Sequence, residues 1–336
     1  MTTTRRIPFP RPALVALTLA AALALAACGG KQGGDGGATA SRLSIATGNT
    51  TGVYYQLGGA YARVISRTTE HKTTASETGA SVQNIQLIAA GKQDIAFSLL
   101  DTAADAVNGT GAFDGRAQPI EALTALYPNF TQVVVRAGAG IDSIADMKGK
   151  RVSTGAPGSA TEVFAFRLLE AAGLDKDKDF SARERLSPAE STNAIKDGKL
   201  DAYFFVSGVP TSAVTDLAAS PGVQIALINH ARYAPQMAEK YGQVYFPEVI
   251  PAGTYPGQKT DNQQLSVGNI IAVLDTMPDE QAAKILDVIW SNRGELAQVH
   301  AEAKNFTLDK QKTGAAGVPW HPAAEAYWKK QGAQLA

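Results

Sequence analysis

The fold is decided by residues 43–65, which have the sequence LSIATGNTTGVYYQLGGAYARVI. The apolar start predicts a short buried strand ending near Thr47, and the apolar spacing from Val53 to Val64 predicts a helix. The Gly and Thr loop between them, with Thr51 as the predicted N-cap, presents backbone N–H groups at a helix N-terminus, where an anion is favoured. The implied ligand is a small carboxylate or phosphate, and an ordinary strand-to-helix turn is the alternative.

Residues 1–27 have the features of a lipoprotein signal peptide. Three arginines precede an apolar run from Ala13 to Ala27, which is too short to span a bilayer comfortably. The sequence Leu-Ala-Ala-Cys that ends at Cys28 resembles the bacterial lipobox, in which signal peptidase II cleaves before a lipid-modified cysteine. We therefore expect lipid on Cys28, a Gly-rich tether over residues 28–40, and a protein anchored to a bacterial membrane in the periplasm or at the cell surface. An ordinary secretory peptide is the alternative.

Composition argues against several classes of partner. Removing residues 1–27 takes away three arginines and no acidic residue, which leaves 28 lysines and arginines against 31 acidic residues. The sequence has no basic stripe and no second apolar stretch long enough for a membrane span, so we expect no nucleic-acid partner and no membrane contact except the lipid on Cys28. A single cysteine permits no internal disulfide, so stability must come from the core.

From residue 43 onward, short apolar runs alternate with helical stretches, which is the pattern of parallel βαβ units. Two segments recur later in the chain at one common offset: GKQDIAF at 91–97 matches GKLDAYF at 198–204, and IATG at 45–48 matches VSTG at 152–155. A shared offset indicates two lobes built on one plan. The expected lobes are 41–136 plus 245–336 for lobe I, and 137–244 for lobe II.

Several further elements follow from local patterns. Separate strands are expected at 122–127 and 133–136, and the Pro-rich residues 244–251 suit a return crossover or a hinge. A strand is expected at 265–274 and an amphipathic helix at 278–292.

The second copy of the loop has the sequence VSTGAPGSATE at residues 152–162. It turns through Gly155 and Gly158 and enters a helix through the capping box Ser159-x-x-Glu162. The capping box accounts for Ser159 without a ligand, but it does not account for Thr161. Two such loops, one in each lobe, predict a cleft that clamps an anionic ligand.

The chain resembles the TAXI family of TRAP transporter solute-binding proteins from about residue 43 to 332. The motifs that carry the resemblance are TGNTTGVYYQLGG from Thr47, ETGASVQN from Glu77, LYP from Leu126, GKRVSTGAPGSATE from Gly149 and PWHPAA from Pro319. The resemblance implies an α/β type II periplasmic-binding-protein fold, with two βαβ lobes joined by two crossover strands and a ligand cleft between them. It also implies capture of a small organic acid, such as glutamate or 2-oxoglutarate, and delivery to a fused TRAP permease driven by an ion gradient.

The resemblance implies a set of ligand-binding positions, most of them at strand ends and helix starts. They are Gly48, Asn49, Thr50, Tyr54, Tyr55, Thr78, Ser81, Asn84, Ser98, Asp101, Tyr127, Ala156, Gly158, Ser159, Thr161 and the strand end 206–208 with Gly208. The chain has Leu99-Leu100-Asp101 where the family usually has Gln-Ser-Asp, and Thr50 where many relatives have glycine.

Several of these positions have a structural alternative. Tyr54 and Tyr55 are adjacent in a helix, so we expect one to line the cleft and the other not, and the sequence leaves open which. Asn84 can serve only to bond loop amides. Asp101 suits a helix N-cap, unless the ligand carries an amine. Arg136 could neutralise a carboxylate but is more often solvated at such a position.

Enzyme function is not expected. The four histidines are far apart, with no H-x-x-x-H or carboxylate pairing at metal spacing, and the sequence has no G-x-S-x-G elbow. We therefore expect no catalytic residue, no metal and no cofactor, and a monomer that works by lobe closure around its ligand. A binding lipoprotein that serves an ABC permease or a membrane sensor is the alternative function.

Overall fold

The structure is a computed structural model that describes residues 41–312 and 316–335. The predicted signal peptide of residues 1–27, the lipidated Cys28 and the tether of residues 28–40 lie outside the described residues. The described residues form one structural unit.

Ten strands and ten α-helices alternate along the described chain. The strands are β1 Arg42–Ala46, β2 Lys72–Ser76, β3 Ile95–Leu99, β4 Ile120–Arg136, β5 Arg151–Ser153, β6 Ala182–Glu184, β7 Ala202–Ser207, β8 Ile225–Leu227, β9 Tyr245–Ile250 and β10 Asn262–Leu274. The helices are α1 Val53–Thr68, α2 Ser81–Ala89, α3 Leu100–Asn108, α4 Ala160–Ala171, α5 Pro188–Lys196, α6 Ser212–Ala218, α7 Ala234–Tyr241, α8 Asp279–Ser291, α9 Arg293–Val299 and α10 Pro322–Lys330.

All ten strands belong to one mixed sheet with the order β2-β1-β3-β10-β4-β7-β5-β6, in which β8 also pairs with β4 and β9 with β10. The pairs at the two ends are parallel, and those made by β4 and β10 are antiparallel. We call β1–β3 with α1–α3 the first half, and β5–β7 with α4–α6 the second half. The predicted α/β fold with two lobes and two crossover strands is confirmed.

The crossover strands are β4 and β10, which lie side by side in the centre of the sheet. Residues 122–127 and 133–136, expected as two strands, are parts of β4, which is buried at almost every position. A strand buried in this way is covered on both faces, and its buried polar residues, such as Asn129 and Gln132, need hydrogen-bonding partners. Residues 244–251 are not the return crossover: they hold β9, which pairs with β10, and Ile250 packs in a small core with residues of the second half. The lobe boundaries stay a prediction.

The internal repeat is confirmed by register. Ile45 lies opposite Ile95 in the first half, and Val152 lies opposite Ala202 in the second half, so both strands of the pair keep the offset of the repeated sequences. The same offset relates the first residue of α1 to that of α4, and the first residue of α2 to that of α5. The two halves therefore repeat one βαβαβ unit.

The first helix forms as its apolar spacing predicts, with Val53, Leu57, Tyr61 and Val64 buried against the sheet. Gly91 and Gly173 follow the ends of α2 and α4 with positive φ, a conformation typical of glycines that close a helix. Within the described residues, no helix combines the length and apolar character that a membrane span requires.

Candidate ligand-binding site

A cavity lies between the two halves, at the carboxyl ends of their parallel strands. Small-molecule sites often occur at this edge of α/β sheets. Residues at the starts of α1, α2, α4 and α5 contribute to its wall. The lining residues are Gly48, Asn49, Gly52, Tyr54, Thr78, Gly79, Ala80, Ser81, Leu99, Asn129, Gly155, Ala156, Ser159, Ala160, Thr161, Pro188, Phe204, Phe205 and Val206.

The loop before α1 supplies Asn49 and Tyr54 to the cavity. Asn49 shapes the loop, because its Oδ1 accepts hydrogen bonds from the backbone N–H and the hydroxyl of Thr51, at 3.2 and 2.7 Å. The prediction that Thr51 is the N-cap is wrong: the N-cap is Gly52, which makes no side-chain cap. Tyr54 is buried at the cavity, whereas Tyr55 is exposed, which decides between the two tyrosines.

The loop before α2 is held to the sheet by Asn84. Its side-chain amide donates to the carbonyl oxygens of Ala46, Thr47 and Phe97, and Thr78 donates to its Oδ1 at 2.5 Å. Asn84 is fully buried and does not line the cavity, so its role is the structural alternative named above. Thr78 does line the cavity.

Ser81 belongs to the cavity wall and to the scaffold at once. Its hydroxyl oxygen accepts a hydrogen bond at 3.0 Å from the N–H of Leu99, the last residue of β3. The backbone N–H at the strand end is thereby satisfied, and the Ser81 hydroxyl also makes a side-chain hydrogen bond with Tyr54.

The loop before α4 lies opposite, in the second half. Ser159 is the N-cap of α4: its Oγ accepts from the Glu162 N–H at 3.2 Å and donates to the Ala156 carbonyl at 2.7 Å. At this helix start, within the described residues, the predicted capping box is incomplete. The Glu162 carboxylate pairs with Arg185 and does not accept from the Ser159 backbone N–H. Thr161 Oγ1 accepts from the Val206 N–H of β7 at 3.1 Å. Thr161 and Ser81 therefore have the same role, in which a hydroxyl oxygen accepts a backbone N–H near the end of a strand.

The floor of the cavity is formed by the crossover strands. Asn129 of β4 lines it, and behind it Asn269 of β10 accepts hydrogen bonds from Asn129 Nδ2 at 3.0 Å and from the hydroxyl of Tyr54. Sequence reasoning missed both asparagines. The available signal was a polar residue within each of two long apolar strands, where burial requires a hydrogen-bonding partner.

Eight of the sixteen predicted ligand-binding positions lie in the cavity wall: Gly48, Asn49, Tyr54, Thr78, Ser81, Ala156, Ser159 and Thr161. Of the predicted strand end 206–208, Val206 also lines the cavity.

The structure places the other eight elsewhere. Thr50 and Tyr55 line a separate surface groove along α1. Ser98 and Tyr127 are buried in the core with Asn84, and the Ser98 hydroxyl donates to the Leu99 carbonyl. Gly208 packs against Glu302, where an added Cβ would lie 2.7 Å from Cγ.

Asp101 is neither an N-cap nor a cavity residue. It lies within the first turn of α3, where its Oδ2 accepts from the Tyr245 hydroxyl at 2.7 Å, and Arg167 NH1 of α4 lies 3.6 Å away. Arg167 also pairs with Asp105 at 2.5 Å, and burial raises the pKa of Asp105. The Asp101 carboxylate thus has Tyr245 and Arg167 as partners within the protein.

Arg136 is not free to neutralise a ligand either. Its NH2 lies 2.8 Å from Asp201 Oδ1, at the last residue of β4 and outside the cavity wall. The side chain is 36% exposed, so it is partly solvated as expected, and it also belongs to a cluster with Asp201 and Arg151.

The cavity wall carries no lysine, arginine, histidine, aspartate or glutamate among the residues that the structure describes there. Its polar groups are hydroxyls, side-chain amides and the backbone at four helix N-termini. The backbone N–H groups of Tyr54, Ala160 and Thr161 have no acceptor within the described part of the chain. Burial raises the pKa of Tyr54 well above its ordinary value, so its hydroxyl is neutral. Such a wall can bind an anion through dipoles alone.

The two halves touch each other around the cavity. The Gln83 N–H of α2 donates to the Gly158 carbonyl at 3.2 Å, and the Ser212 hydroxyl of α6 donates to the Thr51 carbonyl at 3.1 Å. Gly158 therefore contributes to contact between the halves and not to the cavity wall. Within the described residues, no group of three or more histidines, cysteines or acidic residues could hold a metal ion.

The sequence profile of the NMT1-like family matches residues 45–332, which include both halves and both crossover strands. The chain belongs to the NMT1-like family. The narrower resemblance to the TAXI family stays a prediction.

Solved structures with the same fold include a binding protein component of an ABC phosphonate transporter from Pseudomonas aeruginosa. It is 16% identical to this NMT1-like chain, with a TM-score of 0.53 over 80% of each chain. A protein from Bordetella bronchiseptica RB50 is also 16% identical, with a TM-score of 0.51 over 88% of this chain and 83% of that chain. Similarity at this level establishes the periplasmic-binding-protein fold and not the ligand.

Proposed function

We propose that this protein is an extracytoplasmic solute-binding protein that captures a small organic acid or acidic amino acid and delivers it to a membrane permease. The observation that carries the proposal is the convergence of four helix starts on one uncharged cavity between two repeated halves. Glutamate and 2-oxoglutarate carry the negative charge that helix N-termini favour. The proposal requires binding and closure but no catalysis.

In this proposal the ligand carboxylate bonds the free N–H groups at the starts of α1 and α4, one in each half. A ligand that contacts both halves binds the closed form more tightly than the open form, and only this difference can shift the equilibrium between them. The Gln83 and Ser212 bonds between the halves would break on opening, so they add to the closed form. The permease then meets the closed, loaded form.

The proposed partner is a fused TRAP permease driven by an ion gradient, as the resemblance to the TAXI family implies. A second candidate is an ABC permease, which is favoured by the structural similarity to a component of an ABC phosphonate transporter. The proposal places the protein outside the cytoplasmic membrane, anchored by lipid on Cys28. Uptake of labelled ligand by cells distinguishes the partners: collapse of the ion gradient stops a TRAP system first, whereas ATP depletion at a maintained gradient stops an ABC system.

Thermal unfolding of the soluble protein from residue 41 onward tests ligand capture. The protein is first unfolded and refolded to remove any ligand carried from the cell, then heated with C4 and C5 dicarboxylates, amino acids and a small alkylphosphonate. A ligand at 100 times its dissociation constant stabilises the folded state by about 2.7 kcal/mol, which raises the midpoint by several degrees. A shift with a carboxylate supports the proposed class. A shift with the phosphonate alone, or with no compound, contradicts it.

A further inference from the structure

The direction of every hydrogen bond at the cavity floor can be worked out from one backbone carbonyl. The side chain of Asn269 makes a bond of 2.7 Å with the carbonyl oxygen of Tyr127, which can only accept. The Asn269 atom at that position must therefore be the nitrogen. Its Oδ1 then faces the other way, toward Asn129 and the hydroxyl of Tyr54.

The orientation of Asn129 follows from that of Asn269. The Asn129 atom that lies 3.0 Å from Asn269 Oδ1 must be a donor, so it is Nδ2, which also lies 3.5 Å from the Tyr54 hydroxyl oxygen. The other atom of the amide, Oδ1, has no partner among the described residues, although Asn129 is only 2% exposed. An unpaired acceptor at a buried position is costly and needs a reason.

Asn129 lines the cavity and its Oδ1 is shielded from solvent in this form, so a ligand that enters as the halves separate can supply the missing donor. The sequence suggested Asp101 as the group that would meet a ligand amine, but Asp101 is occupied by Tyr245 and Arg167. Among the described lining residues no acidic side chain takes its place. Asn129 Oδ1 is the acceptor that the floor of the cavity offers.

We infer that Asn129 is a specificity-determining residue, whose Oδ1 accepts a hydrogen bond from an amino or hydroxyl group of the ligand. The inference rests on the proposed capture of a small acid. An oxo group at the same position would place one acceptor against another, and an unsubstituted carbon would leave Asn129 unpaired. The site therefore favours amino or hydroxy acids over oxo acids of the same length.

Four ligands with one carbon skeleton test this inference: glutamate, 2-hydroxyglutarate, 2-oxoglutarate and glutarate, titrated calorimetrically into the wild-type protein from residue 41 onward. We expect glutamate or 2-hydroxyglutarate to bind at least tenfold more tightly than 2-oxoglutarate and glutarate. The ratio between glutamate and 2-hydroxyglutarate then separates an ammonium donor from a hydroxyl donor. Equal or tighter binding of 2-oxoglutarate overturns the inference while leaving capture of a small acid intact.

The variant Asn129→Leu removes the acceptor and should bring the ratio of amino or hydroxy acid to oxo acid close to one. Tyr55→Phe, on the exposed face of α1, is the matched control and should keep the wild-type ratio. An unchanged ratio in Asn129→Leu overturns the inference. If that variant does not fold, the four-ligand series on the wild type still decides. Binding of none of the four ligands overturns this inference, and the proposed function fails with it only if the thermal screen of C4 and C5 acids and amino acids also shows no shift.

Discussion

The first and second halves share their scaffold and differ at the cavity. In both halves an aspartate at the start of a strand accepts the N–H of the neighbouring strand: Asp94 bonds Ser44, and Asp201 bonds Arg151. In both, the N–H of a threonine donates to the carbonyl of the last residue of the edge strand. The two aspartates, and the residues that donate these bonds, stand at the offset of the sequence repeat.

At the cavity the matched positions have different side chains. Tyr54 of the first half corresponds to Thr161, Ser81 to Pro188, and Asn49 to Ala156. The second half adds Phe204 and Phe205 to the wall. The first half and the crossover strands therefore supply most side-chain hydrogen-bonding groups, and the second half supplies apolar cover with two hydroxyls. The repeated positions are therefore alike where hydrogen bonds close each βαβ unit and differ where side chains line the cavity.

The largest expected effect compares the two scaffold aspartates. Asp201 accepts four hydrogen bonds from Arg136 and Arg151 and is buried, whereas Asp94 bonds only Ser44 at an exposed position. Asp201→Ala should lower the free energy of unfolding by about 3 kcal/mol, and Asp94→Ala by about 1 kcal/mol or less. Urea denaturation of both variants measures the difference. Equal losses would show that the two halves depend equally on their aspartates.

The second comparison concerns glycines at matched positions, Gly48 and Gly155. Gly155 has φ of +102°, and an added Cβ would lie 2.7 Å from Thr161 Cγ2, whereas a Cβ on Gly48 would meet nothing closer than 3.5 Å. Gly155→Ala should cost about 2–3 kcal/mol of folding free energy, and Gly48→Ala less than about 1 kcal/mol. Thermal unfolding of the two variants provides the measurement. A harmless Gly155→Ala would mean that the second loop tolerates another backbone conformation.

The third prediction compares two links between the crossover strands β4 and β10. His230 bonds both strands: its Nε2 donates to the Thr131 carbonyl of β4, and its Nδ1 accepts from the Leu265 N–H of β10. Asn129 and Asn269 form the other link, and they do not titrate. Burial lowers the pKa of His230 to about 4, against about 6.5 in the unfolded chain. The neutral ring therefore stabilises the fold above pH 6.5, and this contribution is lost as the pH falls toward 4.

These two pKa values predict that, on lowering the pH from 8 to 5, protonation of His230 in the unfolded chain lowers the free energy of unfolding by about 2 kcal/mol. Urea denaturation at both pH values measures this, with His230→Gln as the comparison because glutamine can donate and accept without titrating. Between pH 8 and pH 5 the variant should lose about 2 kcal/mol less free energy of unfolding than the wild type. The same loss in both proteins would remove His230 as the cause.

The smallest effect concerns the ligand contacts of the second half. Thr161 Oγ1 accepts the Val206 N–H, so its hydroxyl hydrogen is free to bond a ligand. Thr161→Val should weaken ligand binding by about 1–2 kcal/mol. Thr50→Val, in the separate groove along α1, is the control and should leave affinity unchanged. Calorimetric titration with a ligand found by the thermal screen measures both, and unchanged affinity in Thr161→Val would take Thr161 out of the site.

The sequence predicted the fold well because it carries two independent signals, the local periodicity of strands and helices and the internal repeat. The alternation of apolar runs and helices indicated the βαβ units, and the common offset of the repeated segments indicated two matched halves. It misplaced the return crossover because proline suggested a hinge at residues 244–251, whereas Pro247 lies in β9, which pairs with one side of β10.

The site was predicted less well, because the direction of a side chain depends on tertiary contacts. Helix periodicity could not decide between Tyr54 and Tyr55, and spacing could not show that Asp101 meets Arg167 from the other half. The role of Asn129 depends on Asn269, which lies far along the chain, and on a carbonyl that bonds Asn269. A hydrogen bond between residues so far apart in the chain cannot be read from local sequence, which shows only a polar residue within a buried strand.

The central claim is that a small acid binds between the halves and contacts both. Hydrogen–deuterium exchange, with and without the ligand from the thermal screen, tests it most directly. The account predicts slower exchange in peptides that contain the starts of α1 and α2 and in peptides that contain the start of α4. It predicts no change in peptides that contain β2, whose residues 73–75 line the separate surface groove. Slower exchange confined to one half, or centred on that groove, would contradict the account.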